Sequence, residues 1–138
     1  MGHSVRVRGM TAVCWALVTV GVVALTGCGT GSRERDVSGT VERFFEAVRS
    51  QDGEAACGLL VPQTRDDLVT AEGQACAEVL PMDRIGGTVR EVAVWSRWAR
   101  VGTDEGAVFL TEFGSGWLIT AAGCKSNGDA PGHCVVGG

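Results

Sequence analysis

The chain has 138 residues, 45% of them hydrophobic and 20% charged, and its 16 acidic side chains outnumber its 12 basic ones. Phosphate binding needs a clustered basic surface, so this balance excludes nucleic acid as an expected partner. The length allows one small domain and not two once an N-terminal leader is set aside.

The leader comes first. Arg6 and Arg8 give a basic start, and Met10 to Leu25 follow as sixteen residues without a charge. The run closes on Leu25-Thr26-Gly27-Cys28. A Cys at the end of a signal h-region, behind a small Gly and with an aliphatic residue three positions upstream, fits acylation on sulfur and cleavage just before the Cys. The four residues resemble the bacterial lipobox at every position. The run is short of the roughly 20 apolar residues of a spanning helix. Residues 1–27 are therefore expected to be a lipoprotein signal peptide and Cys28 the lipidation site, with a secretory signal or an uncleaved anchor as alternatives. The expected location is the extracytoplasmic face of the cell membrane, with the membrane as partner through Cys28.

Cleavage there leaves 111 residues carrying ten basic and sixteen acidic groups. Eleven of the twelve basic residues in the full chain are Arg and only Lys125 is Lys, the usage of a GC-rich genome. Besides Cys14 in the leader and Cys28, the chain holds Cys57, Cys76, Cys124 and Cys134, an even number suited to an oxidising compartment. Three pairings are possible. Proximity in sequence favours Cys57 with Cys76 and Cys124 with Cys134. A zinc site would want a Cys-x-x-Cys pair or His neighbours, and His133 is the one His after the leader. No metal or cofactor is expected.

Residues 28–35 are small and polar and are expected to be a flexible tether. Val37, Val41, Phe44, Phe45 and Val48 then fall on one helix face, while Glu42, Arg43, Glu46 and Arg49 point outward. Asp36 or Ser38 is positioned to cap the start of this helix, and Gly53 to close its end. Short helices are expected at Glu54 to Leu60, from Pro62 through Leu68, and at Gln74 to Leu80, where Pro81 stops the last. Cys57 and Cys76 lie on the first and last of these.

Beyond Gly86-Gly87 the apolar period changes to two. Strands are expected at Thr88 to Trp95, Trp98 to Thr103, Ala107 to Phe113 and Gly116 to Ala122, separated by turn-like pieces. Val92, Val94, Ala99, Val101, Val108, Leu110, Trp117 and Ile119 form the alternating set able to face the helices. Asn127-Gly128-Asp129 and Pro131-Gly132 let the chain reverse and return Cys134 to Cys124. The expected fold class is α+β over residues 36–138, an N-terminal helix and short helices packed on a four-stranded antiparallel meander.

This order of elements resembles the cone-shaped fold of nuclear-transport-factor-2-like, SnoaL-like and related cystatin-like domains. Phe44-Phe45, Ala56-Cys57-Gly58-Leu59-Leu60, Pro62 with Thr64-Arg65, Cys76, and the ending from Gly116-Trp117 through Ala121-Ala122-Gly123-Cys124 resemble an actinobacterial lipoprotein family of uncharacterised activity. The resemblance implies a cone and carries no reaction with it. Enzymes of this superfamily use Asp, His or Tyr in the cone cavity, whereas this chain has no Tyr and places His133 in its C-terminal loop.

Other chemistry is weak. Asp66-Asp67 are neighbours whose side chains diverge by about 100 degrees on a helix, so paired acid/base work is not implied. Gly114-Ser115-Gly116 suits a hairpin better than a phosphate loop, since no helix start follows. No catalytic set emerges, and no enzyme activity is expected. The expected function is a small membrane-anchored binding or interaction module, for a small apolar ligand or an envelope protein. The alternatives are a structural envelope component or an isomerase/dehydratase-type enzyme. The expected pocket lies between the helix and the concave sheet face, lined by Phe44, Phe45, Trp98, Ala99 and Trp117.

Overall fold

The computed structural model describes residues 30–114, 116–125 and 128–138. Residues 1–29, with the leader and the lipidation site at Cys28, lie outside the described residues. The fold is α+β, with helices packed on one antiparallel sheet. Helices α1 (Thr30–Arg49), α2 (Gly53–Gly58), α3 (Pro62–Glu72) and α4 (Cys76–Val79) precede a short 3-10 turn at Met82–Arg84. Strands β1 (Val89–Trp95), β2 (Trp98–Thr103), β3 (Gly106–Phe113), β4 (Gly116–Cys124) and β5 (Val136–Gly137) follow. They lie side by side in sequence order, all antiparallel.

Helix α1 is longer than its apolar period indicates. It starts at Thr30, so residues 30–35, expected in the tether, are helical, and Asp36 and Ser38 sit inside the helix instead of capping it. The cause is a long-range contact. Arg33 reaches across to the carbonyl of Ser96 and to Glu112, 2.8 Å away, and so holds a first turn that has no apolar face of its own. Val37, Val41, Phe44, Phe45 and Val48 are all buried, as their spacing predicts.

Gly53 does not close α1. Gln51, in the left-handed region at φ 57°, turns the chain, and the Asp52 side chain accepts from the Ala55 N–H at 3.0 Å to cap α2. Gly53 instead permits close packing of α2 on α4, since a Cβ there would stand 2.6 Å from the Ala77 carbonyl oxygen and 2.9 Å from its Cα. Backbone atoms cannot move aside cheaply. Gly53→Ala should cost about 1 to 3 kcal/mol in urea unfolding. Gly58→Ala, where a Cβ meets nothing within 4 Å, should be neutral or slightly stabilising. Equal effects at both positions would mean that helix propensity and not packing governs α2.

Two disulfides fasten the ends of the domain. Cys57–Cys76 joins α2 to α4, and Cys124–Cys134 closes the last excursion of the chain. Both α2 and α4 are too short to persist alone, so a covalent clamp between them has a clear structural purpose. Lys125 donates its N–H to the carbonyl of His133 at 2.8 Å, which brings Cys134 back beside Cys124.

The sheet has five strands, not the four expected. Val136, buried in the core, pairs with Ala122 on β4. Farther along the same edge, the Val61 N–H donates to the Ile119 carbonyl and the Ile119 N–H to that of Leu59, each at 2.8 Å. Segments that precede and follow β4 in the chain thus share one edge of it. Irregular register between Leu110/Ile119 and Phe109/Ala121 marks a bulge at Thr120. Past it, Ala121 turns outward into a second small cluster with Phe109, Ala107 and Cys124, while Ala122 returns to the main core.

At the far end of the sheet, the Thr88 N–H donates to Asp104 Oδ1 at 2.7 Å, with Arg90 3.6 Å from the other carboxylate oxygen. The backbone hydrogen bond from Thr88 holds the Asp104 carboxyl below its ordinary value against the opposing effect of desolvation, with Arg90 adding to the lowering. A lowered acid pKa stabilises the fold above the ordinary carboxylate range, and that contribution fades as pH falls through the lowered value. The side chain is solvent-exposed, so the effect is small.

Candidate functional site

The space between α1 and the inner sheet face is filled over most of its length. Phe44 is 0% exposed, Trp117 is 6% exposed, and both belong to one core cluster with Phe45, Ala99, Val101, Leu110 and Ile119. Phe44, Phe45, Ala99 and Trp117, four of the five residues expected to line a pocket, are buried in this cluster, and Phe45 and Trp117 also edge the grooves left at its ends. The fifth, Trp98, is on the other side of the sheet. It is 52% exposed because Ala99, its neighbour in β2, takes the inward position, and alternation sends Trp98 outward. Trp95 follows the same logic after Val94 and is 37% exposed.

What remains of the helix-sheet space is two grooves at its ends. One, about 510 Å³, lies against the first half of α1 and the β3–β4 end, lined by Arg35, Asp36, Thr40, Arg43, Glu112 and Trp117. Its walls are mainly polar. The Arg33 guanidinium lies 5.2 Å from the centroid of the Trp117 ring, within cation–π range. Arg43 donates to Thr40 Oγ1 at 3.1 Å, and Thr40 donates in turn to the Asp36 carbonyl at 3.0 Å. The other groove, about 230 Å³, touches Phe45, Arg49 and Val89 at the opposite end.

The most apolar concavity is on the outer side. A cleft of about 790 Å³ lies between α3 and the outward face of β3 and β4, with Pro62, Leu68, Ala71, Thr111, Phe113 and Thr120 among its walls. Its position follows from the chain course. Residues 59–61 bind the edge of β4, and Pro62 at once starts α3 beyond that edge, so one face of α3 overhangs the sheet. Thr64 Oγ1 donates to the Thr120 carbonyl at 2.9 Å and fixes the overhang at the bulge. Phe113, 42% exposed, forms the wall toward the β3–β4 turn. The volume suits a small organic ligand.

Asp67 borders this cleft and Asp66 is exposed on the same helix. Among the described residues the buried polar side chains are Thr40 and Thr64, and no group of His, Cys, Asp and Glu is arranged to hold a metal ion. No described helix is long and apolar enough to cross a membrane. The outer cleft went unseen in the sequence because its two walls are about fifty residues apart. Thr111 and Phe113, alternating with inward Leu110, were the available signal for one wall. Comparisons with known proteins find no matching family model, no matching curated protein and no matching solved structure.

Proposed function

We propose that the protein is a lipid-anchored extracytoplasmic binding module that takes a small apolar ligand in the cleft between α3 and the outer sheet face. One observation carries the ligand site: the cleft of about 790 Å³ is mostly apolar, while Phe44 fills the middle of the space under α1 and the grooves at its ends are smaller and more polar. The Asp67 carboxylate, and the hydroxyl oxygens of Thr64, Thr111 and Thr120 whose protons go to backbone carbonyls, would accept from a ligand whose bulk rests on Leu68, Ala71 and Phe113. The anchor rests on the lipobox at Leu25 to Cys28 and on the basic and apolar run before it. The cone-like family reading fits a helical cover on an antiparallel sheet, with the ligand on the face opposite to the one the cone implies.

Filling the cleft tests the site. Native mass spectrometry of the processed protein, extracted from membranes, should show a noncovalent adduct of apolar character. Ala71→Trp places an indole in the cleft from an exposed helix position and should remove the adduct without altering the unfolding midpoint. An adduct that persists in Ala71→Trp overturns the cleft as the site.

A further inference from the structure

Three exposed aromatic side chains gather at one pole of the domain. Trp95 and Trp98 pair across the β1–β2 turn, both outward, and Phe113 stands two residues beyond Thr111, the β3 partner of Trp98. Between about a third and a half of each residue is still exposed, so covering them would add roughly that share of the 150 to 250 Å² an enclosed aromatic side chain buries. Among the described residues their outer sides remain open to solvent.

The start of α1 lies at the same pole. Arg33, one turn into the helix, donates to the carbonyl of Ser96, between the two tryptophans in sequence, and to Glu112 beside Phe113. Arg97 ties the same end together, donating to the Glu112 carbonyl at 3.0 Å and accepting from the Glu112 N–H at 2.9 Å. Thr30 opens the helix two residues after Cys28. Two residues of fully extended chain span at most about 7 Å, so an acylated Cys28 would hold this pole, and no other part of the domain, against the bilayer.

We propose that this pole is a membrane-docking surface, with Trp95, Trp98 and Phe113 seated in the headgroup region of the bilayer that holds the Cys28 acyl chains. The inference rests on the lipid anchor proposed above. Tryptophan favours the membrane interface because its ring is apolar and its N–H remains able to hydrogen-bond. So short a leash also keeps the local concentration of bilayer high, and a modest surface affinity then suffices for full docking. Charge plays little part. Arg33, Arg35 and Arg97 are matched by Glu34, Asp36 and Glu112, so an uncharged lipid surface serves and added salt should not release the pole. Phe113 also walls the outer cleft, so the docked orientation sets one side of that cleft near the headgroups.

The test uses the lipidated protein purified from membranes and reconstituted into phosphatidylcholine vesicles, with or without brominated acyl chains as quencher. After processing at Cys28 the chain keeps Trp95, Trp98 and Trp117. Tryptophan emission should fall in the brominated vesicles, at low and at high salt alike. Trp95→Phe combined with Trp98→Phe leaves buried Trp117 as the reporter and should abolish the quenching. Intact mass separates the two levels of the argument. A Cys28 without acyl groups overturns the anchor and the docking together. A lipidated protein whose tryptophans stay unquenched overturns the docking alone, and if that protein also runs as a dimer, the patch belongs to a second copy of the chain.

Discussion

Phe44→Ala should lower the unfolding free energy by about 3 to 5 kcal/mol, the usual cost of removing a buried Phe side chain. The Phe44 ring is wholly enclosed on the inward side of α1, its centroid 6.1 Å from that of Phe45. It packs in the core cluster that includes Trp117 and Ile119 from β4. A domain of this size has about 5 to 15 kcal/mol in all, so the variant loses a large share of it. The midpoint of thermal unfolding should fall by roughly 15 to 30 °C. Circular dichroism under non-oxidising, non-reducing conditions, with both disulfides intact in wild type and variant, measures this. A loss under about 1 kcal/mol would show that the space below α1 has room to adjust, and a ligand site between helix and sheet would regain its standing.

The second large effect concerns attachment. Under the anchor proposed above, two acyl chains at about 0.8 kcal/mol per buried CH₂ hold the protein on the membrane, where a single chain would bind only marginally. Cys28→Ser removes the acceptor sulfur and should move the protein from the membrane pellet to the soluble fraction. Fractionation with N-terminal sequencing measures it. A Ser variant that stays in the pellet with residues 1–27 attached would make that segment an uncleaved anchor.

The strands were legible because alternation with a period of two is a local property. Ala99 and Val101, Val108 and Leu110 declare a buried face without reference to the rest of the chain, and the structure buries them all. The disulfide partners were legible through sequence proximity. Trp98, expected beside the inner space, faces outward because alternation from inward Ala99 fixes its phase. Residues 30–35 were not legible as helix because the contacts that hold them come from Ser96 and Glu112, more than sixty residues away. The strand at Val136–Gly137 is two residues long and has no period to read. The outer cleft was hidden for a related reason. The bulge at Thr120 appears only in the register of β3 on β4, and the overhang of α3 only where residues 59–61 lie against β4.

The double covering of β4 has a consequence for the order in which the fold closes. Residues 59–61 precede β4 in the chain and can take the edge at Ile119 as soon as the strand forms. The partner for Ala121 and Ala122 must first turn back through the segment between Cys124 and Cys134. Until it does, the domain displays an unpaired strand end, the kind of edge that invites association with another chain. The ten-residue step from Cys124 to Cys134 keeps the missing partner close. A covalent link across that step therefore guards an edge as well as a loop.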